Sequence, residues 1–534
     1  MTLNNEVFHR TSAEVNTQIG SYFDVVDNCI SMSDTNKKYV VDPQSSYSPG
    51  PPIQANSFTT FIISPTCDNT ADIYNGFITA KLHCKFNLSG DALPAALTTT
   101  IARKHFDRMW VGFKDAMDAV EKYEILSNGI SIYTQNFAPE ESFITSCTPN
   151  ELVKKADVYS KVRHKDVWYQ KHAGCGAFID WGVATTVNDV VIPLKIDLRR
   201  FLPLSNIKYL PAFAGKFELR IMFGTQGMVY TPCGPEKSLV HDIRTMSTCV
   251  LPEITCEFKP IGEEVTCYAT AATAGGVHTF TAEQRTVTVD RQYYTTATYS
   301  VIPNFGIDND VYQKLVTRYQ SQEFIIPTQV ISINPMANVL GAGKGSSTTT
   351  QTPQFIDSHF LLFPLKPNYH TVFKNPGFTS CQLKCGGYGS IPNSATNTVD
   401  DPTFIELCQN ALNVNGGQVG FNKDVLESLT HVGYGADANA TRTLENDTYP
   451  HDRTNFLIGL PTETDNTFQQ GQTSKTPITY EFASNLPNNY YSTLANHPPP
   501  LLCFLQDHPI SIHVLPNGQP PVVEIGPFDV TSRS

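Results

Sequence analysis

Val190-Val191-Ile192-Pro193-Leu194-Lys195-Ile196-Asp197-Leu198-Arg199 places Ile192, Leu194, Ile196 and Leu198 on alternate positions, with Pro193, Lys195, Asp197 and Arg199 between them. In a helix those four apolar residues would be scattered around the axis; in a strand they share one face. The stretch is therefore a strand with one face in a core and the other toward water. Lys216 to Phe223 repeats the rule, with Phe217, Leu219, Ile221 and Phe223 alternating with Lys216, Glu218, Arg220 and Met222. Gly76 to Phe86 does so again, with Ile78, Ala80, Leu82, Cys84 and Phe86 on one side and Thr79, Lys81, His83 and Lys85 on the other. Half-buried strands of this kind pair into sheets that cover one another's apolar faces.

Residues 1 to about 55 mix polar and apolar positions and end in Ser48-Pro49-Gly50-Pro51-Pro52, which reads as an arm leading into a strand at Phe58 to Ile63. Phe106, Met109, Trp110, Phe113, Met117 and Val120 recur at helical spacing. Ser127-Asn128-Gly129 then breaks the chain before a strand at Ile130 to Tyr133. Thr148-Pro149-Asn150-Glu151 has the form of a capping box with Pro at the first helical position. A strand near Ile254 to Phe258 runs into Lys259-Pro260-Ile261-Gly262, where the domain boundary is placed.

The second half repeats the style. Strands are expected at Thr286 to Val289, Ala297 to Val301, Phe324 to Ile333 and His359 to Phe363, with a helix at Asp308 to Tyr319. A Gly-, Ser- and Thr-rich segment, Gly341 to Thr352, reads as a loop. Asp401-Pro402 caps a small helix, Asn422 to Gly433 is another, and about 434–500 is a polar, loop-dominated excursion. Strands at Leu501 to Leu505, Ile510 to Leu515 and Val522 to Ile525 close the chain. The fold class is all-β dominated: two tandem β-sandwiches of the jelly-roll kind with short helical inserts and long loops. They span 56–260 and 261–534, after an arm over 1–55.

The totals agree. At 534 residues the chain is too long for one core. Charged residues are 16% of it, below the usual proportion of about a quarter. Thr and Tyr suit pleated sheets, and 36 Pro with 33 Gly keep long helices from dominating. The net charge of −12 opposes phosphate backbones, and the first fifty residues hold Arg10, Lys37 and Lys38 against six acids. Neither a basic arm nor sequence-specific nucleic-acid binding is expected. Thirteen cysteines, an odd number, cannot all pair within one chain. With neither a signal-peptide pattern nor an apolar run approaching ~18 residues, the chain reads as one made in a cytoplasm or nucleus, without a membrane span.

The order of segments resembles a family. Val191 to Pro203, followed by Gly215 to Ile221, is similar to the "PL…F" strand region of double jelly-roll major capsid proteins of the polinton (Maverick), adintovirus and virophage type. Ile254 to Ile261 is similar to that family's barrel-closing strand. Phe324 to Ile333 resembles a core strand of its second barrel, and Tyr369 to Pro392 a segment in which an "N…YP" turn precedes a helix. Here Gly389-Ser390 before Ile391-Pro392 replaces the usual Asn-Gly before Tyr-Pro. The resemblance covers roughly 60–430 and rests on order and spacing more than identity. It implies a structural protein of the virion. Homotrimers would form pseudo-hexagonal capsomers and pack with neighbouring capsomers, a penton and minor capsid proteins into an icosahedral shell around a DNA genome. A single jelly roll with large insertions and a carbohydrate-binding β-sandwich are the alternatives.

Candidate chemistry is thin. Gly341-Ala342-Gly343-Lys344-Gly345-Ser346-Ser347 lacks the Gly and the Ser or Thr of a phosphate loop, because Asn338 and Gly345 stand there. Cys381, Cys385 and Cys408 lack the second pair that a zinc site wants, and read as core thiols. His164, His172, His359, His370, His497, His508 and His513 form no metal-ligand pair. Cys175, between Gly174 and Gly176, reads as structural. Glu140-Glu141 and Glu263-Glu264 sit beside turns and read as solvated charge. No catalytic, cofactor-binding or metal-binding residue is assigned, no cofactor is expected, and the chain is not read as an enzyme.

Overall fold

The computed structural model of the chain describes residues 38–41, 53–54, 57–65, 69–90, 108–147, 173–180, 187–233, 258–274, 277–294, 298–326, 328–336, 343–349, 356–364, 370–373, 380–385, 388–389, 406–408, 410–411, 456–461, 478–484, 499–516 and 519–525. The first strands are β1 (Lys38–Val41), β2 (Ile53–Gln54), β3 (Phe58–Ile62), β4 (Thr70–Asp72), β5 (Phe77–Gly90), β6 (Arg108–Gly112), β7 (Val120–Ser127) and β8 (Ile130–Gln135). Helix α1 (Ala138–Cys147) precedes β9 (Gly176–Asp180), β10 (Val187–Asp197), β11 (Tyr209–Pro211), β12 (Phe217–Phe223), β13 (Val229–Pro232) and β14 (Lys259–Pro260). Then come β15 (Glu264–Ala274), β16 (Val277–Tyr294) and β17 (Tyr299–Phe305).

Strand β5 lies at the centre of a nine-stranded sheet. Strand β10 pairs along one edge, from Val187 opposite Asn87 to Asp197 opposite Phe77. Strands β16 and β17 follow one another along the other edge. Ile78, Ala80, Leu82, Cys84 and Phe86 of β5 and Ile192, Leu194 and Ile196 of β10 are all buried on one face. The alternation read from the sequence is the alternation in space. That face is covered by two four-stranded sheets, β3-β12-β7-β8 and β14-β13-β6-β9. Phe217, Leu219, Ile221 and Phe223 of β12 point into the same core, where Phe223 meets Tyr294 of β16 at 4.7 Å between ring centroids. Trp110 of β6 packs edge-on against Phe258 at 5.7 Å. Each fully buried side chain of this size contributes about 1.5–3 kcal/mol through removal from water.

The carboxy-terminal part begins with helix α2 (Asn309–Ser321), β18 (Phe324–Ile326) and β19 (Gln329–Pro335). It continues with β20 (Gly343–Thr349), β21 (Ile356–Leu362), β22 (Ser380–Cys385), β23 (Tyr388–Gly389), β24 (Leu457–Pro461) and β25 (Ile478–Ser484). It ends with β26 (Leu501–Asp507), β27 (Ile510–His513) and β28 (Val522–Ile525). Three sheets result: β19-β26-β21-β24, β20-β25-β22-β23 and β18-β27-β28. A second core gathers Ile331 and Ile333, Phe360 to Phe363, Leu457 and Ile458, and Leu502 to Phe504.

Several expectations change. The helix expected over Phe106 to Val120 is strand β6, a 3-10 turn at Ala116–Ala119 and the start of β7. Met109, Trp110 and Val111 are all fully buried, so β6 shows apolar residues on both faces and its period is ambiguous. The loop expected over Gly341 to Thr352 contains β20, which pairs with β25 from Gly343 opposite Ser484 to Thr349 opposite Ile478. The expected excursion at 434–500 holds β24 and β25. The expected arm supplies β1, paired with β17, and β2, paired with β16. The three strands after the expected boundary near 260 hydrogen-bond into the sheet centred on β5. The helices expected at Thr148 and at Asn422 to Gly433 lie outside the described residues.

Candidate functional site

Among the described residues, a dense gathering of ionisable groups lies where the two strand sets meet, around the first turn of α1. Pro139 at the helix start costs no internal hydrogen bond, and Glu140 and Glu141 sit at the positive end of the helix dipole. These are the residues expected to be solvated. Instead Glu140 is 2% exposed and Glu141 0%. Neither this helix nor what packs over it was expected from the sequence, which placed the two residues beside turns.

Glu141 is held from three sides. Its Oε1 accepts from the Tyr123 hydroxyl at 2.7 Å and from the Leu202 amide at 3.2 Å. Its Oε2 accepts from Gln135 Nε2 at 2.7 Å. The same Gln135 nitrogen donates to the Ile331 carbonyl of β19 at 2.9 Å, so this carboxyl orients a bond between the sets. Burial pushes Glu141 up to about 7, although the bonds from Tyr123 and Gln135 pull the other way. Glu140 Oε1 faces His370 Nδ1 at 2.8 Å, a second link across the seam. Burial alone would lower the His370 pKa; the hydrogen bond and charge of Glu140, with Glu121 behind it, outweigh burial and raise it.

One turn away, Asp115 caps the 3-10 turn through the Met117 amide at 3.0 Å, while Asp118 accepts from the Asp115 amide at 3.0 Å. Burial, then the neighbouring Asp115 carboxylate, holds Asp118 well above the usual carboxylate range. Arg200 pairs with Asp115 and lies 3.3 Å from Ser142 Oγ of α1. Lys114 Nζ donates to the Thr371 carbonyl at 2.8 Å, Thr371 Oγ1 to Gly227 O at 3.1 Å, and Thr328 Oγ1 to Pro203 O at 2.8 Å. Phe143 meets Phe373 at 4.8 Å, and Phe213 stacks on Tyr319 at 5.4 Å. A small cleft opens beside this seam, lined by Glu121, Lys122, Asn136, Pro139, Met222, Gln226 and His370.

The other candidates are spread over the fold. Cys175 is buried and donates from Sγ to the Phe113 carbonyl at 2.8 Å. Cys408 is buried and accepts from the Gly459 amide at 3.4 Å. Cys381 and Cys385 lie on β22, paired with β25. Lys344 lies on β20, in a strand rather than a phosphate cradle. His359 is buried edge-on to Phe504 at 5.2 Å, and His513 Nε2 is 3.1 Å from Glu323. His508 accepts no assigned chemistry, its amide bonding to Thr328 O at 3.0 Å. Glu264 is exposed on β15 and Glu263 partly so, as expected of solvated charge. His164, His172 and His497 lie outside the described residues. Among the described residues, no group of three or more His, Cys, Asp and Glu side chains is placed to hold a metal ion, and no helix is long and apolar enough to cross a membrane. Asp115 and Asp118 were not among the candidates read from the sequence, although their D-x-x-D spacing is a capping signal.

No protein-family model matches the chain, and no curated protein matches its sequence. Solved structures similar to it include a chain of the Sputnik virophage structure, at 11% identity and TM-score 0.47, covering 92% of this chain and 88% of that one. The mavirus major capsid protein is similar at 10% identity and TM-score 0.45, with 91% and 90% covered. A PBCV-1 virus capsid chain is similar at 8% identity and TM-score 0.42, with 92% and 97% covered.

Proposed function

We propose that this chain is a major capsid protein of the double jelly-roll type, a self-associating structural protein and not an enzyme. The observation that carries the reading is the architecture: antiparallel sheets in one chain gathered on two packed cores, the larger one also taking in β18-β27-β28, with buried polar bonds between them. Two similar sets per chain turn a three-fold assembly into a near-six-fold tile. The ionisable residues of the seam are engaged in holding the chain together, with Glu141 and Asp115 each bonded within it. The first jelly roll in this reading extends through β17 to Phe305, later than residue 260, because β15 to β17 complete its sheet. The partners are two further copies in a trimer, neighbouring capsomers, a penton and minor capsid proteins, in a shell around a DNA genome. Synthesis in the host cytoplasm or nucleus and location in the virion complete the reading.

The test is to express the whole chain and measure its mass by light scattering after size exclusion, with negative-stain microscopy of the peak. Trimers of pseudo-hexagonal outline, or closed particles, are expected. A stable monomer that binds a glycan array would overturn the reading in favour of a carbohydrate-binding sandwich.

A further inference from the structure

We propose that the seam between the two strand sets is a proton-controlled joint, closed while Glu141 and Asp118 are protonated and His370 is charged, and loosened when all three lose their protons. This does not rest on the capsid reading; it would hold for any protein built this way.

Glu140, Glu141, Asp118 and Glu121 are each no more than 5% exposed, and Asp115 is 8%. The cationic groups facing them are Arg200 on Asp115, Lys114 toward Thr371, and His370 on Glu140. Lys122 lines the adjoining cleft. Further titratable neighbours are Tyr123 and Tyr133 beside Glu141, Tyr294 near Glu121, and Cys503 of β26 near Glu140; burial raises all four, which keeps them neutral across the range considered. With Glu141 and Asp118 protonated, three carboxylates (Asp115, Glu121, Glu140) meet three cations (Lys114, Arg200, His370). Removal of the three protons leaves five carboxylates facing Lys114 and Arg200. Uncompensated charge in a dry seam is strongly unfavourable, and opening the seam to water relieves it.

Glu141 is a carboxyl raised from 4.5 to about 7, so its contribution is full below 4.5 and lost as pH rises through about 7. Asp118 is raised too, and its contribution is lost in the same direction. His370 is a base raised above 6.5, so the Glu140 pair is full below 6.5 and also fades as pH rises. All three act with the same sign: the joint is tightest in acid and loosens as pH rises through about 7 for Glu141 and about 8 for Asp118. Two of the links at risk are the ones that cross between sets, Gln135 to Ile331 and Glu140 to His370.

Hydrogen-exchange mass spectrometry on the full chain tests this, with rates normalised at each pH to those of an unstructured chain. Between pH 4.5 and 7, peptides covering 135–147 and 328–336 should lose protection by up to about ten-fold per pH unit for each of Glu141 and Asp118, and the loss should level off once both are ionised in the closed seam. A peptide covering 77–90, in the sheet centre, should hold its protection. Glu141→Gln, which keeps an acceptor and cannot ionise, should remove most of the loss at the seam. Should that variant fail to fold, His370→Gln is the second probe, because its ring is partly exposed; it should abolish the part of the protection gained between pH 7.5 and 6. An equal loss over 77–90 and the seam, or a seam loss unchanged by either variant, would overturn the proposal.

Discussion

Gly176 shows how little room single positions leave. A β-carbon there would stand 2.4 Å from Trp110 Cε2 and 2.5 Å from the Val111 carbonyl, because β6 and β9 meet at Gly112 opposite Gly176. Gly176→Ala should therefore destabilise by about 1–3 kcal/mol, read as a lower denaturant midpoint at unchanged slope. Gly129 is the contrasting case. Nothing lies within 4 Å of its would-be β-carbon, but its φ of +83 completes the Asn128-Gly129 turn of the β7–β8 hairpin. His359 gives the residue scale a pH signature. Burial lowers it to about 3 from 6.5, so the neutral ring favours the folded state above 6.5 and loses that advantage as pH falls toward 3. His359→Leu should flatten the fall of a melting-temperature profile as pH drops from 6.5 toward 3, while leaving the opposite trend that Glu141 adds as pH rises from 4.5 to about 7.

At the scale of elements, alternation and caps are the interactions to test. Ile221 on β12 is fully buried, and Ile221→Ala should cost about 2–5 kcal/mol by leaving a cavity. Asp308 caps α2 by accepting from the Asp310 amide at 2.8 Å, so Asp308→Ala should cost about 1 kcal/mol in chemical denaturation. The same two features explain what was legible in the sequence. Strands β5, β10 and β12 have one wet face, so their period of two showed through. Helix α2 has a cap and one buried stripe at Leu315 and Tyr319, and it too was readable. Strand β6 is buried on both faces, and β20 is built of Gly, Lys, Ser and Thr, so neither advertised its state. The seam was illegible for a further reason: the burial of Glu140 and Glu141 is imposed by residues such as Ile331 and His370, roughly two hundred positions away.

At the scale of the molecule, the two sets do not separate cleanly at residue 260. Helix α2 and β18 belong to the larger core through the Phe213, Tyr319 and Phe324 rings, whose centroids lie 4.8–5.8 Å apart. A fragment ending at 260 should be insoluble, since it exposes the edge of β5 that β16 and β17 cover; one extended through Phe305 should express better, as judged by the soluble fraction. The pairings also set a timetable for synthesis. Strand β1 waits for β17, emerging some 260 residues later, and β18 waits for β27 near the chain's end. A ribosome delivering about 5–20 residues per second thus holds unpaired apolar strands in the open for tens of seconds. Newly made chains are most exposed to mispairing with one another during that interval, so the yield of folded protein depends on how many are being translated side by side and on the chaperones that shield them.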